Sequence, residues 1–222
     1  MHSPSAAARC PAALSAERSS HVIHPDDVKG FLAPDEGEAL ATHARESGAL
    51  GPIVEIGSYC GKSALYLGPA AREAGTHLFS VDHHSGSEEH QPGEGYHDPD
   101  LFDAGAGRVD TLPSFRRTLR LAGLDDCVIP VVGRSADVAR HWSTPCGLVF
   151  IDGGHSMEAA QADYDGWSPH VAPGGILAIH DVFPDPKDGG RPPYEIWKQA
   201  VESGRFETVT RVNTLEVLRR SA

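Results

Sequence analysis

Val54-Glu55-Ile56-Gly57-Ser58-Tyr59-Cys60-Gly61-Lys62-Ser63 is the stretch whose reading decides the fold of this chain. Pro52-Ile53-Val54 leads as an apolar run into an acid and a glycine. A short polar loop and a second glycine follow, and Ala64-Leu65-Tyr66-Leu67 then continues with helical character. The pattern is a strand, a tight turn and a helix start. Glycine in such a turn lets the backbone approach a ligand closely, and the helix N-terminus offers unpaired N–H groups.

Three ligands compete for that turn. Gly61-Lys62-Ser63 ends like a phosphate-binding P-loop, but only three residues separate Gly57 from Gly61. That loop places four between its glycines, so the phosphate cradle is one residue short. A dinucleotide fingerprint requires a middle glycine, which Ser58-Tyr59-Cys60 does not supply. The pattern Glu55-x-Gly57-x-x-x-Gly61-x-Ser63 resembles the S-adenosylmethionine (SAM) loop of class I methyltransferases, in the variant of the catechol O-methyltransferase-like group. An ordinary strand-to-helix turn competes with all three for the motif taken alone.

The rest of the chain narrows the class. A length of 222 residues and 40% hydrophobic composition fit one globular domain with a short extension. A net charge of −12 disfavours nucleic acid or an anionic membrane surface as a partner. Cys10, Cys60, Cys127 and Cys146 form no Cys-x-x-Cys pair, which argues against a zinc ribbon or a thioredoxin-type site. Met1 to Arg9 lack the apolar segment of a signal peptide, and no apolar run reaches membrane-spanning length. The expectation is a cytoplasmic protein with reduced thiols.

Apolar bursts alternate with helical stretches along the chain. Strands are expected at Ile53–Ile56, His77–Val81, Val128–Val132, Leu148–Ile151, Ile176–Ile179, Phe206–Arg211 and Thr214–Arg219. Helices are expected near 62–74, 111–123, 135–141, 156–170 and 192–203. The implied fold is α/β: a mostly parallel seven-stranded sheet with helices on both faces and a C-terminal antiparallel hairpin. Residues 1–20, rich in Ala, Ser and Pro, read as frayed, and 21–48 as a helical extension started by Pro34-Asp35-Glu36. That extension could pack on a second copy as a homodimer. Residues 49–222 form the main domain. Within it, residues 83–110 break the rhythm and read as a lid over the substrate.

Ligands of open α/β sheets bind outside the carboxyl ends of the strands. There the sequence places Glu55, Gly57 and Ser58 after the first strand and Asp82 and His83 after the second. Asp82 suits the ribose hydroxyls of SAM and of NAD equally. Ser135 follows the third strand; the resemblance to class I methyltransferases implies a small polar residue near the adenine there, and a helix N-cap is the equal alternative. The fourth strand delivers Asp152-Gly153-Gly154-His155, and the fifth, after Pro173-Gly174-Gly175, delivers His180-Asp181. Two carboxylates and two imidazoles thus meet at one edge. Like charges that close call for a positive partner, most simply a divalent metal.

Taken together, Glu55–Ser63, Asp82, Ser135, Asp152–His155 and His180-Asp181 resemble the metal-dependent class I O-methyltransferases over residues 50–220. The Asp-Gly-Gly-His segment is similar to a bacterial group acting on sugars and natural products, among them the polysaccharide enzymes of actinobacteria such as those of mycobacterial methylmannose polysaccharide synthesis. The resemblance implies a Rossmann-like class I fold and transfer of a methyl group from SAM to a hydroxyl of a sugar or other small molecule. It implies cofactor contacts from Glu55, Gly57, Ser58, Tyr59, Gly61, Ser63, Asp82, His83, Ser135 and Asp152. Asp152, His180 and Asp181 would hold magnesium or manganese, and His155 would act as general base beside Asp152. His180 stands where the family carries an acid, so it is either a ligand that favours a transition ion or a supporting residue. Tyr59, His84, Tyr194 and Trp197 are candidates to line the acceptor pocket. His83, His84, His90 and His97 lack the spacing of a second metal site. The alternatives are a nucleotide enzyme using NAD or ATP, a methyltransferase of phenolic or macrolide acceptors, and a non-catalytic module.

Overall fold

Ile53–Ile56, apart from Glu55, and Leu148–Ile151 are apolar, and both are buried along their whole length, as strands covered on both faces require. The computed structural model describes residues 23–185, 187 and 189–222; the stretch expected to fray, 1–20, lies outside them. The strands are β1 (Ile53–Ile56), β2 (Leu78–Asp82), β3 (Phe102–Asp103), β4 (Arg108–Val109), β5 (Val128–Val132), β6 (Cys146–Ile151), β7 (Val171–Ile179), β8 (Phe206–Val212) and β9 (Leu215–Arg220). The helices are α1 (Pro34–Ser47), α2 (Ala64–Glu73), α3 (Leu112–Ala122), α4 (Ser135–Arg140), α5 (Met157–Trp167) and α6 (Arg191–Glu202).

Seven strands form one sheet in the order β5-β2-β1-β6-β7-β9-β8. The first five are parallel, and β9 lies antiparallel between β7 and β8. The expected class I architecture is the observed one. The chain moves outward from β1 to β5 and then returns to β6 beside β1. The reversal opens a crevice between the carboxyl ends of β1 and β6, where α/β sheets bind ligands.

The period of two along each strand sorts the core. Ile53, Leu78, Leu148, Phe150 and Ile176 face α1, α2 and α3, where Leu40, Leu67 and Phe115 meet them. Val54, Ile56, Val149, Ile151 and Leu177 face α4, α5 and α6, where Tyr164, Trp167 and Ile196 meet them. Glu55 and Ser80 share the alternation of the first set, so both point toward the start of α2.

Two sequence expectations are corrected. Pro173-Gly174-Gly175 is not a turn before the strand: β7 already begins at Val171 and absorbs these residues as an irregularity between pairings with Cys146 and Leu148. Gly174, at φ 79°, takes the bend. The 83–110 segment is not structureless. It carries two 3-10 turns, Glu88–His90 and Pro99–Leu101, and the β3–β4 hairpin. Leu101 and Val109 anchor it on Val28 and Cys60.

Candidate active site

The crevice begins at the turn after β1. Gly57 and Gly61 adopt φ 84° and 90°, which other residues rarely hold. A Cβ on Gly57 would fall 2.1 Å from the Asp152 carbonyl oxygen, so glycine there lets the β1 and β6 ends close on each other. Tyr59, His84 and Asp181 also hold left-handed backbone, at φ 45°, 58° and 56°, each at a strand-end loop of this crevice. Such conformations cost about 1 kcal/mol or more and cluster where function requires them.

The cofactor-side acids are held by neutral donors. Glu55 has no exposed surface, and its two oxygens accept from Ser63 Oγ at 2.6 Å and Ser80 Oγ at 2.5 Å. Burial pushes its carboxyl up to about 7 against those two hydroxyls. Glu55 therefore braces the loop from below. Asp82 faces the crevice: Oδ2 accepts from the Ser58 and Tyr59 amides at 2.9 Å each, and Oδ1 accepts from the His84 amide at 2.7 Å. One acceptor direction on Oδ1 is left for a hydroxyl. His83 is exposed, and its Nδ1 accepts from the Ser85 amide at 3.0 Å. Ser135 is the first residue of α4 rather than its cap, and its hydroxyl accepts from Trp167 Nε1 at 2.7 Å.

The ends of β6 and β7 are held by imidazoles instead. Asp152, His155 and Asp181 each offer one ligand atom, all within 4.8 Å of one another. His155 Nε2 lies 3.1 Å from Asp181 Oδ2, and its Nδ1 lies 3.2 Å from Glu89 Oε1. Asp181 and then Glu89 hold its imidazolium up to about 10. Burial opposes the charge on Asp181, yet His155 and His180 keep that carboxyl well below its ordinary range.

His180 differs from its expected place among the metal ligands. Its Nε2 lies 2.9 Å from Glu36 Oε2 and its Nδ1 lies 3.1 Å from Asp152 Oδ1, at 3% exposure. Both ring nitrogens are occupied, so it orients Asp152. Burial alone would neutralise the ring, but Asp152, Asp181 and Glu36 keep its proton bound far above the usual histidine range. Glu36 also accepts from the Thr214 amide and hydroxyl at 3.0 and 2.9 Å. Although burial raises Glu36, His180 brings it down to about 2.

The pocket-lining expectations divide. Tyr59 stacks on His90 at 5.1 Å, and Phe31 and Tyr96 extend that aromatic cluster outward. His84 is buried and lines nothing; its Nδ1 meets Thr111 Oγ1 at 2.7 Å and its ring lies beside Phe115. Tyr194 and Trp197 pack on each other against the α5–α6 core. Among the described residues, the loop histidines form no metal-ligating group. Sequence reasoning missed Glu36, Glu89 and Phe31. Only Glu36 carried a signal, and it was that of a helix start.

Residues 54–182 match the family described as "Methyltransferase domain". Solved structures of similar fold include the SAM-bound O-methyltransferase TomG of Streptomyces achromogenes, involved in tomaymycin synthesis. It is 16% identical with a TM-score of 0.60, over 86% of this chain and 82% of that one. A SAH-bound methyltransferase of Podospora anserina is 15% identical with a TM-score of 0.62, over 86% and 80%. An O-methyltransferase of Bacillus cereus in complex with SAH is 16% identical with a TM-score of 0.59, over 86% and 83%. These likenesses speak to the fold.

Proposed function

The chain belongs to the methyltransferase-domain family and has the class I methyltransferase fold, and from that premise we propose that it transfers a methyl group from SAM to a hydroxyl oxygen of a small molecule with the help of a divalent metal. The observation that carries this reading is the convergence of Asp152, His155 and Asp181 next to the Gly57–Gly61 turn.

SAM, when bound, supplies a methyl group already activated by its sulfonium charge. Residues 57–61 would take its methionine end because Gly57 and Gly61 let the backbone come close; the amides of Gly57, Ser58, Tyr59 and Gly61 are themselves spent on Val81, Asp82 and Ser58 and hold the turn in shape. Asp82 would accept from the ribose through the free direction on Oδ1. Ser58 and Tyr59 keep Asp82 in place through their amides.

The donor set fits a hard cation, because Asp152 and Asp181 present carboxylate oxygens to one point. A divalent cation held by that pair would supply Lewis acidity for the acceptor hydroxyl and would compete with His155 for the charge of Asp181. His155 would act as base only in the loaded site: with its charge drawn to a cation, the Asp181 carboxylate would leave Nε2 and ease loss of its proton, while Glu89 keeps the proton on Nδ1, so that the bared Nε2 takes the hydroxyl proton. His180 holds Asp152 from behind.

A saccharide acceptor is supported by two exposed aromatic faces, Phe31 beside Tyr59 and Tyr96 edge-on to Phe31. A phenolic ring would stack on the same faces, so acceptor trials should carry catechols beside sugars. None of the helices described is long and apolar enough to cross a membrane, and Cys60, Cys127 and Cys146 are buried free thiols. Both facts support action in the cytoplasm.

The test is calorimetric binding of SAM with and without Mg²⁺, followed by acceptor trials with labelled methyl donor. SAM binding and chelator-sensitive transfer are expected. ATP or NAD binding without SAM binding would overturn the assignment, and turnover indifferent to chelator would remove the metal.

A further inference from the structure

Asp163 is a buried acid that the chemistry above leaves unused. It lies on α5 among Ala160, Tyr164 and Trp167, at 6% exposure, on the face turned to the sheet. A carboxyl in such surroundings is costly without partners. Its Oδ2 reaches the loop after β6, 2.5 Å from where a Cβ on Gly153 would stand, and Ile56 at the end of β1 borders the same point. Burial pushes the carboxyl up to about 6, Ser135 pulls it down and Asp82 pushes it up. Ser135 Oγ already accepts from Trp167 Nε1, so its own proton is free for Asp163. One hydroxyl leaves most of a carboxyl's acceptor directions open.

The position matters more than the burial. Asp163 stands between the start of α4 and the ends of β1 and β6, within electrostatic reach of Asp82. When the methionine end of SAM lies on the Gly57–Gly61 turn and its ribose on Asp82, the nucleobase is directed toward this side of the crevice. Adenine offers there an exocyclic 6-amino donor. Resting on the SAM reading, we propose that Asp163, oriented by Ser135, accepts a hydrogen bond from the adenine 6-amino group and so selects an adenosyl over an inosyl cofactor. Gly153 is glycine because the carboxyl takes the space of its side chain.

Calorimetry on the full chain with SAH and with S-inosylhomocysteine, in which an oxo group replaces the amino group, tests this. A buried acceptor left unpaired or repelled is worth about tenfold or more in affinity. The wild type should prefer SAH by at least that factor. Asp163→Ala should lose about tenfold in SAH affinity and bind both ligands alike. Asp163→Asn, whose amide serves either base, should collapse the preference while keeping inosyl binding. Equal wild-type affinities would overturn the proposal without any variant. A preference retained in both variants, or an equal loss for both ligands, would assign Asp163 a purely structural role and overturn it too. A wild type that binds neither ligand fails the SAM reading itself, and the proposal with it.

Discussion

Two halves of one sheet edge hold their acids in opposite ways. After β1 and β2, Glu55 and Asp82 meet hydroxyls and backbone amides; after β6 and β7, Asp152 and Asp181 meet imidazoles. The consequence is opposite in sign. Burial drives Glu55 up to about 7, whereas His180 draws the equally buried Glu36 down to about 2. Neutral donors suit a half that must hold a cationic cofactor without repelling it. Imidazoles suit a half that must gather negative charge at a point and pass a proton.

The largest expected effect falls on the imidazole half. Asp152→Ala removes a converging carboxylate while leaving the Gly57–Gly61 turn and Asp82 untouched. Transfer should fall about a thousandfold, the scale of several kcal/mol of lost charge stabilisation. SAM affinity by calorimetry should stay within about threefold. Loss of SAM binding together with transfer would erase the division between the halves.

Next in size is the support behind that half. Glu36 and His180 are each 3% exposed, and Glu36→Ala leaves a buried imidazolium with part of its counter-charge gone. Removing one partner of a buried pair costs about 3–5 kcal/mol. Urea unfolding should show a drop of that order, and transfer should fall with it because Asp152 loses its fixed orientation. Full stability in this variant would mean that the pair contributes nothing.

Much of this was legible in the sequence, and the exceptions have physical reasons. The acids at the ends of β1, β2, β6 and β7 could be placed because short β-branched runs end where the crevice begins. Glu36 could not, since it meets His180 across 144 residues and sits where any helix favours an acid. Glu89 is carried by a loop without periodicity, so no pattern aims it at His155. Pro173-Gly174-Gly175 suggested a turn because those residues favour one, but pairing with β6 on both sides keeps it inside the strand. Asp163 reads as the polar face of a helix until its exposure is known.

The neutral-donor half is tested by pH. The Glu55 carboxyl rises from an ordinary 4.5 to about 7, so the folded state binds the proton more tightly than the unfolded chain. Its stabilising contribution is fully present below pH 4.5 and is lost as pH rises through 7. Glu36 moves the other way, from 4.5 to about 2: its contribution is present above 4.5 and is lost as pH falls through 2. Between pH 5 and 7, Glu55 therefore titrates and Glu36 does not. Glu55→Gln should flatten the stability profile in that window, by a few degrees in melting temperature. An unchanged slope would show that Glu55 does not sense its burial.

The smallest effect concerns what covers both halves. Lys29 Nζ lies 2.5 Å from Asp98 and 3.0 Å from Asp100, tying the segment before α1 to the 83–110 loop. That loop carries Glu89 to His155 and His90 to Tyr59, so it touches the imidazole half and the cofactor turn at once. The ion pairs are solvent-exposed, and such pairs contribute about 0–1 kcal/mol. Lys29→Ala should therefore leave the melting temperature within about 3 °C of the wild type. Local opening responds differently, because Leu101 and Val109 are the buried apolar anchors of the loop's 98–110 part. Hydrogen exchange at residues 98–103 should quicken in the variant while exchange in β1 and β6 stays the same. Exchange that quickened equally in the central strands would mean that the loop and the sheet open as one unit, and the cover could not move independently of the halves beneath it.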